Sequence, residues 1–227
     1  MSPRVFGRVR RTQRARHEDD GASVSKPPGV QGGGPRIDGL FLTPGAGSSR
    51  EHSSLVAIEA AVAPLPVIRH DFPYRREGRK APDRAPKAIA DIVEHVPGPG
   101  WVLGGRSFGG RMCSMAVADG LPAAGLVLIC YPLHPPGKPD ALRTEHLPHI
   151  TVPCLFISGT RDAFGTPAEL EAAMALIPGD VTYVPVEGKD HSLKGADSLL
   201  ASTVADWMAG LRGSAPRARG GRSPGTS

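Results

Sequence analysis

Residues 101–110 read Trp-Val-Leu-Gly-Gly-Arg-Ser-Phe-Gly-Gly, an apolar run followed at once by a glycine-rich turn that contains a serine. From Gly105 to Gly109 the turn has the pattern G-x-S-x-G. In this pattern a strand turns sharply into a helix, and small residues on either side of the serine let the chain double back. The segment therefore predicts that Ser107 is an exposed nucleophile, with the N–H of Phe108 as one donor to an oxyanion.

Two other structures are compatible with such a turn. It could be an ordinary glycine-rich turn, since the chain has 29 Gly and 24 Pro among 227 residues and chance matches are easy. It could also be a phosphate-binding loop, but that loop needs Lys and Ser or Thr after its last glycine. Here Gly110 is followed by Arg111 and Met112. The apolar strand before the turn and the helix predicted over 112–117 favour the nucleophile.

Apolar runs alternate with segments of helical spacing along the middle of the chain. The runs predict strands at 40–42, 66–71, 101–103, 125–131, 153–158 and 181–186. The helical segments are 82–96, 112–117, 169–176 and 197–211, with a first helix capped by Ser48 or Ser49 and running through Val62. This alternation predicts an α/β fold, with a mostly parallel sheet and helices on both faces. In such sheets ligands bind at the edge where the strands end.

A nucleophilic serine needs a base, and the later strands offer one at the same edge. The strand at 153–158 runs into Asp162, and the strand at 181–186 runs into His191. Ser107, Asp162 and His191 thus follow the chain order of a Ser-Asp-His triad. On its own Asp162 would be a turn or capping residue, and His191 is one of eight histidines. Asp190 is a less favoured acid, because adjacent side chains seldom face each other.

Two further loops follow strands at this edge. The loop at 43–48 is rich in glycine and opens a helix, so Ala46 is the candidate for a second oxyanion N–H, with an ordinary turn as the alternative. Six Lys and Arg residues fall between Arg69 and Arg84, and they could hold an anionic substrate. The favoured alternative is a solvated loop whose arginines pair with Asp71 or Glu77.

The positive charge of the chain is concentrated at its two ends. Residues 1–36 carry a net charge of +5 and residues 212–227 a net charge of +4, whereas residues 37–211 carry −4. We therefore expect a folded domain over 37–211, between a disordered basic leader at 1–36 and a disordered basic tail at 212–227. The acidic balance of the domain makes nucleic-acid binding the weakest alternative.

The composition also bears on compartment and cofactors. No stretch approaches the roughly 18 apolar residues of a membrane-spanning helix, and the first residues lack the apolar core of a signal peptide. Cys113, Cys130 and Cys154 lie in apolar surroundings without pairing motifs, as buried thiols of a reducing compartment do. We expect a cytoplasmic protein, with an organelle transit peptide as the alternative, and chemistry that needs no cofactor or metal ion.

Three segments resemble the small α/β-hydrolases: 104–107, 131–137 and 159–165. The closest group is the hydrolase-like domain shared by the testis-expressed protein 30 group and a subunit of a histone-acetyltransferase complex, with dienelactone-hydrolase-like enzymes further off. The resemblance covers about residues 37–211, and its most specific part is 131–137 with the Leu-Arg and His-Leu pairs at 142–143 and 146–147. It implies an α/β-hydrolase fold in which Ser107 is the nucleophile, Asp162 the acid and His191 the base, with Ala46 and Phe108 as oxyanion donors.

The chain departs from that family in two places. Many members have His-Gly in the oxyanion loop, where this chain has Pro44-Gly45, and no clear strand pair precedes Leu40. We therefore expect a reduced sheet, and the connection from Leu133 to Thr151 is too short for a cap domain. The predicted function is a serine hydrolase acting on a small ester or thioester. The alternative is a non-catalytic hydrolase-like scaffold that binds other proteins.

Overall fold

Six parallel strands form the sheet that the apolar runs predict. The computed structural model describes residues 36–213, and its strands are β1 (Gly39–Thr43), β2 (Val67–Arg69), β3 (Trp101–Arg106), β4 (Gly125–Ile129), β5 (Cys154–Gly159) and β6 (Val181–Val186). Their order across the sheet is β2-β1-β3-β4-β5-β6, and every neighbouring pair is parallel. All six strands therefore end at one edge, as the alternating pattern predicts.

Helices cover both faces of this sheet. They are α1 (Ser53–Val62), α2 (Pro73–Arg76), α3 (Ala85–His95), α4 (Phe108–Ala118), α5 (Pro167–Met174) and α6 (Asp197–Gly213), with a 3-10 helix at Leu147–His149. Successive strand side chains point to opposite faces, so the strands build two cores. Phe41, Leu103 and Leu128 pack on the side of α3, α4 and α5. Leu42 and Val102 pack on the side of α1 and α6.

Several element ends differ from the sequence prediction. The prediction that Ser48 or Ser49 caps the first helix is wrong, because α1 begins at Ser53 and His52 Nδ1 accepts the N–H of Ser54 at 3.2 Å. The intervening residues form a loop that reaches the turn at Ser107 instead. The helix α2 and the 3-10 helix are too short to show a helical period in the sequence.

The sheet is small and lacks a cap domain, as expected. The connection between β4 and β5 contains only the 3-10 helix at Leu147–His149 as regular structure. At the other end, α6 continues to Gly213, past the predicted domain boundary at residue 211. The predicted leader and most of the predicted tail lie outside the described residues and stay predictions.

The three thiols belong to the cores. Cys113, Cys130 and Cys154 are free and fully buried, and burial raises the pKa of each to about 12. They are therefore unreactive packing residues, as predicted. None of the helices within residues 36–213 combines the length and the apolar character needed to cross a bilayer.

Candidate active site

The chain turns from β3 into α4 at Ser107 with a strained backbone. Ser107 has φ 46° and ψ −115°, a left-handed conformation that is uncommon for a residue other than glycine. A Cβ added at Gly105 or Gly109 would overlap the backbone of Thr43 in β1. The neighbouring strand therefore requires glycine at both positions. The Ser107 N–H donates to the carbonyl of Ile129 at 2.8 Å, which fixes the turn to β4.

Ser107, His191 and Asp162 meet at the edge where the strands end. His191 Nε2 lies 2.9 Å from Ser107 Oγ. His191 Nδ1 lies 2.8 Å and 3.0 Å from the two carboxylate oxygens of Asp162. Because a carboxylate only accepts hydrogen bonds, Nδ1 carries the proton and Nε2 is left to accept the hydroxyl proton of Ser107. The structure thus brings together the three residues that the strand ends predict.

Asp162, rather than Asp190, faces the histidine. The Asp162 side chain is 1% exposed, and its oxygens also accept the N–H of Phe164 at 2.9 Å and the hydroxyl of Ser158 at 3.2 Å. Asp190 is exposed and turns away, since its Oδ1 accepts the N–H and the hydroxyl of Ser192. These two hydrogen bonds lower the pKa of Asp190.

Two residues that the sequence does not single out hold His191 in place. The Phe164 ring lies against the imidazole, with ring centroids 4.1 Å apart. Arg106 is 6% exposed, and its Nη2 donates to the carbonyls of His191 at 3.1 Å and Ser192 at 2.9 Å. The alternation of β3 places Arg106 on the face of Val102, where α6 begins. From the sequence, only this alternation could have indicated that Arg106 points towards the loop of His191.

The two candidate oxyanion donors lie on either side of the serine. A Cβ added at Gly45 would lie 3.7 Å from Ser107 Cβ, so the loop of Ala46 passes directly beside the turn. Phe108 begins α4, and the first N–H groups of a helix have no partner within the helix. The Tyr74 hydroxyl donates to the carbonyl of Ala46 at 2.7 Å, which fixes the backbone on that side.

Comparison with known proteins identifies the fold family. The sequence profile described as "Alpha/beta hydrolase domain" matches residues 38–210. This chain belongs to the alpha/beta hydrolase family. The strained turn at Ser107 and the small sheet without a cap domain in residues 36–213 are therefore features of an alpha/beta hydrolase.

Three solved structures illustrate the likeness. The type II thioesterase BorB from the borrelidin biosynthetic cluster is 17% identical with a TM-score of 0.57, over 78% of this chain and 94% of that one. Est1E from Butyrivibrio proteoclasticus is 14% identical with a TM-score of 0.60, over 78% and 89%. Alpha/beta hydrolase domain-containing protein 10 from mouse is 19% identical with a TM-score of 0.58, over 84% and 100%. At these identities the likeness shows the fold.

The basic residues between Arg69 and Arg84 are the ones that could hold an anionic substrate according to the sequence. Three of these six basic residues pair with carboxylates: Arg69 with Glu51 and Glu59, Arg76 with Asp91, and Arg79 with Glu77 and Asp83. This pairing agrees with the favoured solvated loop, although the partners are mostly other acids than the two expected. The aromatic residues Phe72 and Tyr74 of the segment are fully buried, and Phe72 packs edge-on against Phe108, with ring centroids 5.2 Å apart.

A second histidine and carboxylate cluster lies beside this segment. His70 Nε2 lies 2.6 Å from Asp91 Oδ2, and the His70 and His95 rings are 4.6 Å apart. These are residue types that bind divalent metals, but Arg76 Nη2 already lies 2.7 Å from Asp91 Oδ1. Burial opposes ionisation of Asp91, yet hydrogen bonds from Arg76 and His70 hold its pKa below the usual value. In this hydrolase the cluster fixes β2 to α3.

Proposed function

We propose that this protein is a serine hydrolase that cleaves a small ester or thioester. The observation that carries the proposal is the continuous hydrogen-bonded chain from Ser107 through His191 to Asp162, built on a strained turn. A Ser-His-Asp chain is recognised by its geometry and roles rather than by the fold that holds it.

The geometry supports acyl transfer in two steps. In the first step Ser107 Oγ attacks the substrate carbonyl carbon while His191 Nε2 takes the hydroxyl proton. Asp162 holds the imidazole in the correct tautomer and stabilises the imidazolium. The N–H groups of Ala46 and Phe108 donate to the oxyanion of the tetrahedral intermediate. The intermediate expels the alcohol or thiol, which takes the proton from His191 and leaves an acyl-serine.

The second step restores the enzyme. A water molecule attacks the acyl carbon, His191 takes the proton of that water, and the second tetrahedral intermediate releases the acid. In that release the bond between the acyl carbon and Ser107 Oγ breaks, and Oγ takes the proton back from His191. The short connection between β4 and β5 leaves the site without a cap domain, which favours a small substrate.

The structural relatives support an ester or thioester substrate. BorB is described as a type II thioesterase, and a structure of Est1E contains ferulic acid. Within the family, the segments 131–137 and 159–165 favour the testis-expressed protein 30 group. We retain that closer relationship, and the cytoplasmic location, as parts of the proposal.

Covalent labelling tests the proposal on the full-length chain. We expect a fluorophosphonate probe to label the wild type but not Ser107→Ala. The control is Ser202→Ala, which removes an exposed hydroxyl from α6 and should still be labelled. The same three proteins are assayed with p-nitrophenyl butyrate and with butyrylthiocholine plus a thiol reagent. If the wild type neither labels nor hydrolyses either substrate, the non-catalytic scaffold replaces this proposal.

A further inference from the structure

In the part of the chain that the structure describes, the neighbouring arginines Arg111 and Arg143 form no ion pair with a carboxylate. Arg111 lies on α4, and its Nε is buried without a hydrogen-bond partner within residues 36–213. Arg143 lies in the connection between β4 and β5, and its Nη1 donates to the carbonyl of Pro132 at 3.2 Å. Burial first, and then the positive charge of Arg111, lower the pKa of Arg143.

This pair differs from the other arginines near the site. Arg69 and Arg76 form ion pairs with carboxylates, and Arg106 donates to two backbone carbonyls. Neither Arg111 nor Arg143 forms an ion pair with a carboxylate in the described part of the chain, although Glu145 and Asp119 are near enough to act on His146. Two like charges that share a partly buried site oppose each other and destabilise the fold. An anion bound between them would remove that repulsion.

The position of the pair relates it to the candidate nucleophile. The N–H of Arg111 donates to the carbonyl of Ser107 at 3.0 Å, one turn along α4, and residues four apart lie on the same side of a helix. Arg143 donates its N–H to the carbonyl of Leu133 at 2.9 Å. The next residue, His134, donates to the carbonyl of Phe164, whose ring lies on the imidazole of the triad. The pair therefore lies along one side of the serine turn.

Polar contacts hold both arginine backbones in place. The Ser114 hydroxyl donates to the carbonyl of Arg111 at 2.8 Å, and the Tyr131 hydroxyl donates to the carbonyl of Arg143 at 2.8 Å. His146 Nε2 lies 2.9 Å from the same Ser114 oxygen and links the two segments. Two guanidinium groups on backbone segments fixed in this way are suited to the oxygen atoms of a carboxylate or phosphate.

We propose that Arg111 and Arg143 bind an anionic oxygen group, a carboxylate or a phosphate, on the acyl part of the substrate. The inference rests on the proposed hydrolase function and narrows its substrate class to anionic esters or thioesters. It also places substrate charge at α4 and the β4–β5 connection, rather than in the basic segment from Arg69 to Arg84.

Kinetics on two matched esters test this substrate class. The substrates are p-nitrophenyl hydrogen adipate, which ends in a carboxylate, and p-nitrophenyl hexanoate, which is uncharged. The measured quantity is the ratio of kcat/KM for the charged ester to that for the neutral one. We expect Arg111→Gln and Arg143→Gln to lower this ratio by about 10- to 100-fold, the size of a lost charge-assisted hydrogen bond.

Lys138→Gln is the matched control, since it removes an exposed positive charge from the same β4–β5 connection. We expect it to change the ratio by less than about threefold, because screened surface charges act weakly. We also expect Arg111→Gln to leave the midpoint of thermal unfolding unchanged or raised, because Nε has no hydrogen-bond partner to lose among the residues that the structure describes. An equal fall of kcat/KM on both esters, or an unchanged ratio, would overturn the anion site.

A binding experiment separates failure of this inference from failure of the hydrolase proposal. Calorimetry on Ser107→Ala uses monomethyl succinate, methyl phosphate and the uncharged dimethyl succinate. We expect the two anions to bind and dimethyl succinate not to, with binding lost when Arg111→Gln and Arg143→Gln are added. If the wild type hydrolyses neither ester while this binding persists, the hydrolase proposal fails and the anion site stands. If neither anion binds, the anion site fails whatever the esterase result.

Discussion

Acid should destabilise the folded protein in part through His146. Its imidazole is partly buried, with Nε2 2.9 Å from the hydroxyl of Ser114 on α4 and 3.4 Å from that of Tyr131. Burial, followed by the charge of Arg111, lowers the pKa of His146 from 6.5 to about 4. Its neutral form is therefore favoured in the folded state over a wide range of pH.

The sign of the effect follows from proton linkage. Between pH 6.5 and about 4 the unfolded chain binds a proton at His146 that the folded chain does not. The contribution of His146 to stability is therefore complete above pH 6.5 and is lost as the pH falls towards 4. The difference between the pKa of His146 in the unfolded and the folded chain corresponds to about 3 kcal/mol of unfolding free energy when the loss is complete. At pH 5 the loss is about 2 kcal/mol. Glu145 and Asp119 act in the opposite direction and are already included in the net shift.

Urea unfolding at pH 7 and pH 5 measures the effect. The quantity to compare is the loss of unfolding free energy between the two pH values. We expect this loss to be smaller in His146→Gln than in the wild type by about 2 kcal/mol, because glutamine does not titrate. His149→Gln removes an exposed imidazole from the 3-10 helix that directly follows His146, and it should behave like the wild type. Equal losses in His146→Gln and the wild type would refute the argument, since the carboxylates common to all three proteins cancel.

Three further expectations concern the triad and the domain. Asp162→Asn should lower kcat on p-nitrophenyl butyrate by several orders of magnitude, about 10⁴-fold in a serine protease, through the wrong imidazole tautomer; near-full turnover would exclude Asp162 as the acid. Arg106→Gln should lower kcat about tenfold and shift the pH–rate profile, because the loop of His191 loses the hydrogen bonds that hold it. Arg106→Lys should recover part of the rate, and an unchanged profile would contradict this positioning role. A chain of residues 36–213 should unfold cooperatively and keep any esterase activity, since the composition of the ends cannot offset the entropy of ordering; loss of the calorimetric transition would show that the ends are structural.

The sheet could be predicted because its strands are apolar runs bounded by glycine and proline. The run over 125–131 ends as a strand at Ile129, since Cys130 adopts φ 51° where the chain leaves the sheet. The start of α1 could not be predicted from capping residues alone. Ser48 and Ser49 are good caps locally, but the loop that contains them packs beside Ser107, and that contact is not local in sequence.

The proximity of Ser107, Asp162 and His191 could be predicted because a parallel sheet brings all strand ends to one edge. Each of Ser107, Asp162 and His191 follows a strand closely, so topology alone places them together. The contacts that hold them could not be predicted in the same way. Arg111 has an ordinary place in the sequence, as a residue that excludes a phosphate-binding loop. Only the three-dimensional structure shows that its Nε is buried without a hydrogen-bond partner among residues 36–213.

Two buried carboxylates in this protein have different partners. The difference helps to decide between an enzyme and a non-catalytic scaffold. Asp91 has the guanidinium of Arg76 as a partner and fixes β2 to α3. Asp162 is just as buried, yet within residues 36–213 it forms no ion pair with a lysine or arginine, and its partner is the imidazole of His191. In the proposed mechanism this carboxylate would stabilise the imidazolium that forms when His191 takes a proton from Ser107. A scaffold gains nothing from this arrangement, nor from the strained backbone of Ser107, which costs about 1–3 kcal/mol. Under the proposed function both features would serve acyl transfer, and this is why we favour a serine hydrolase over a scaffold.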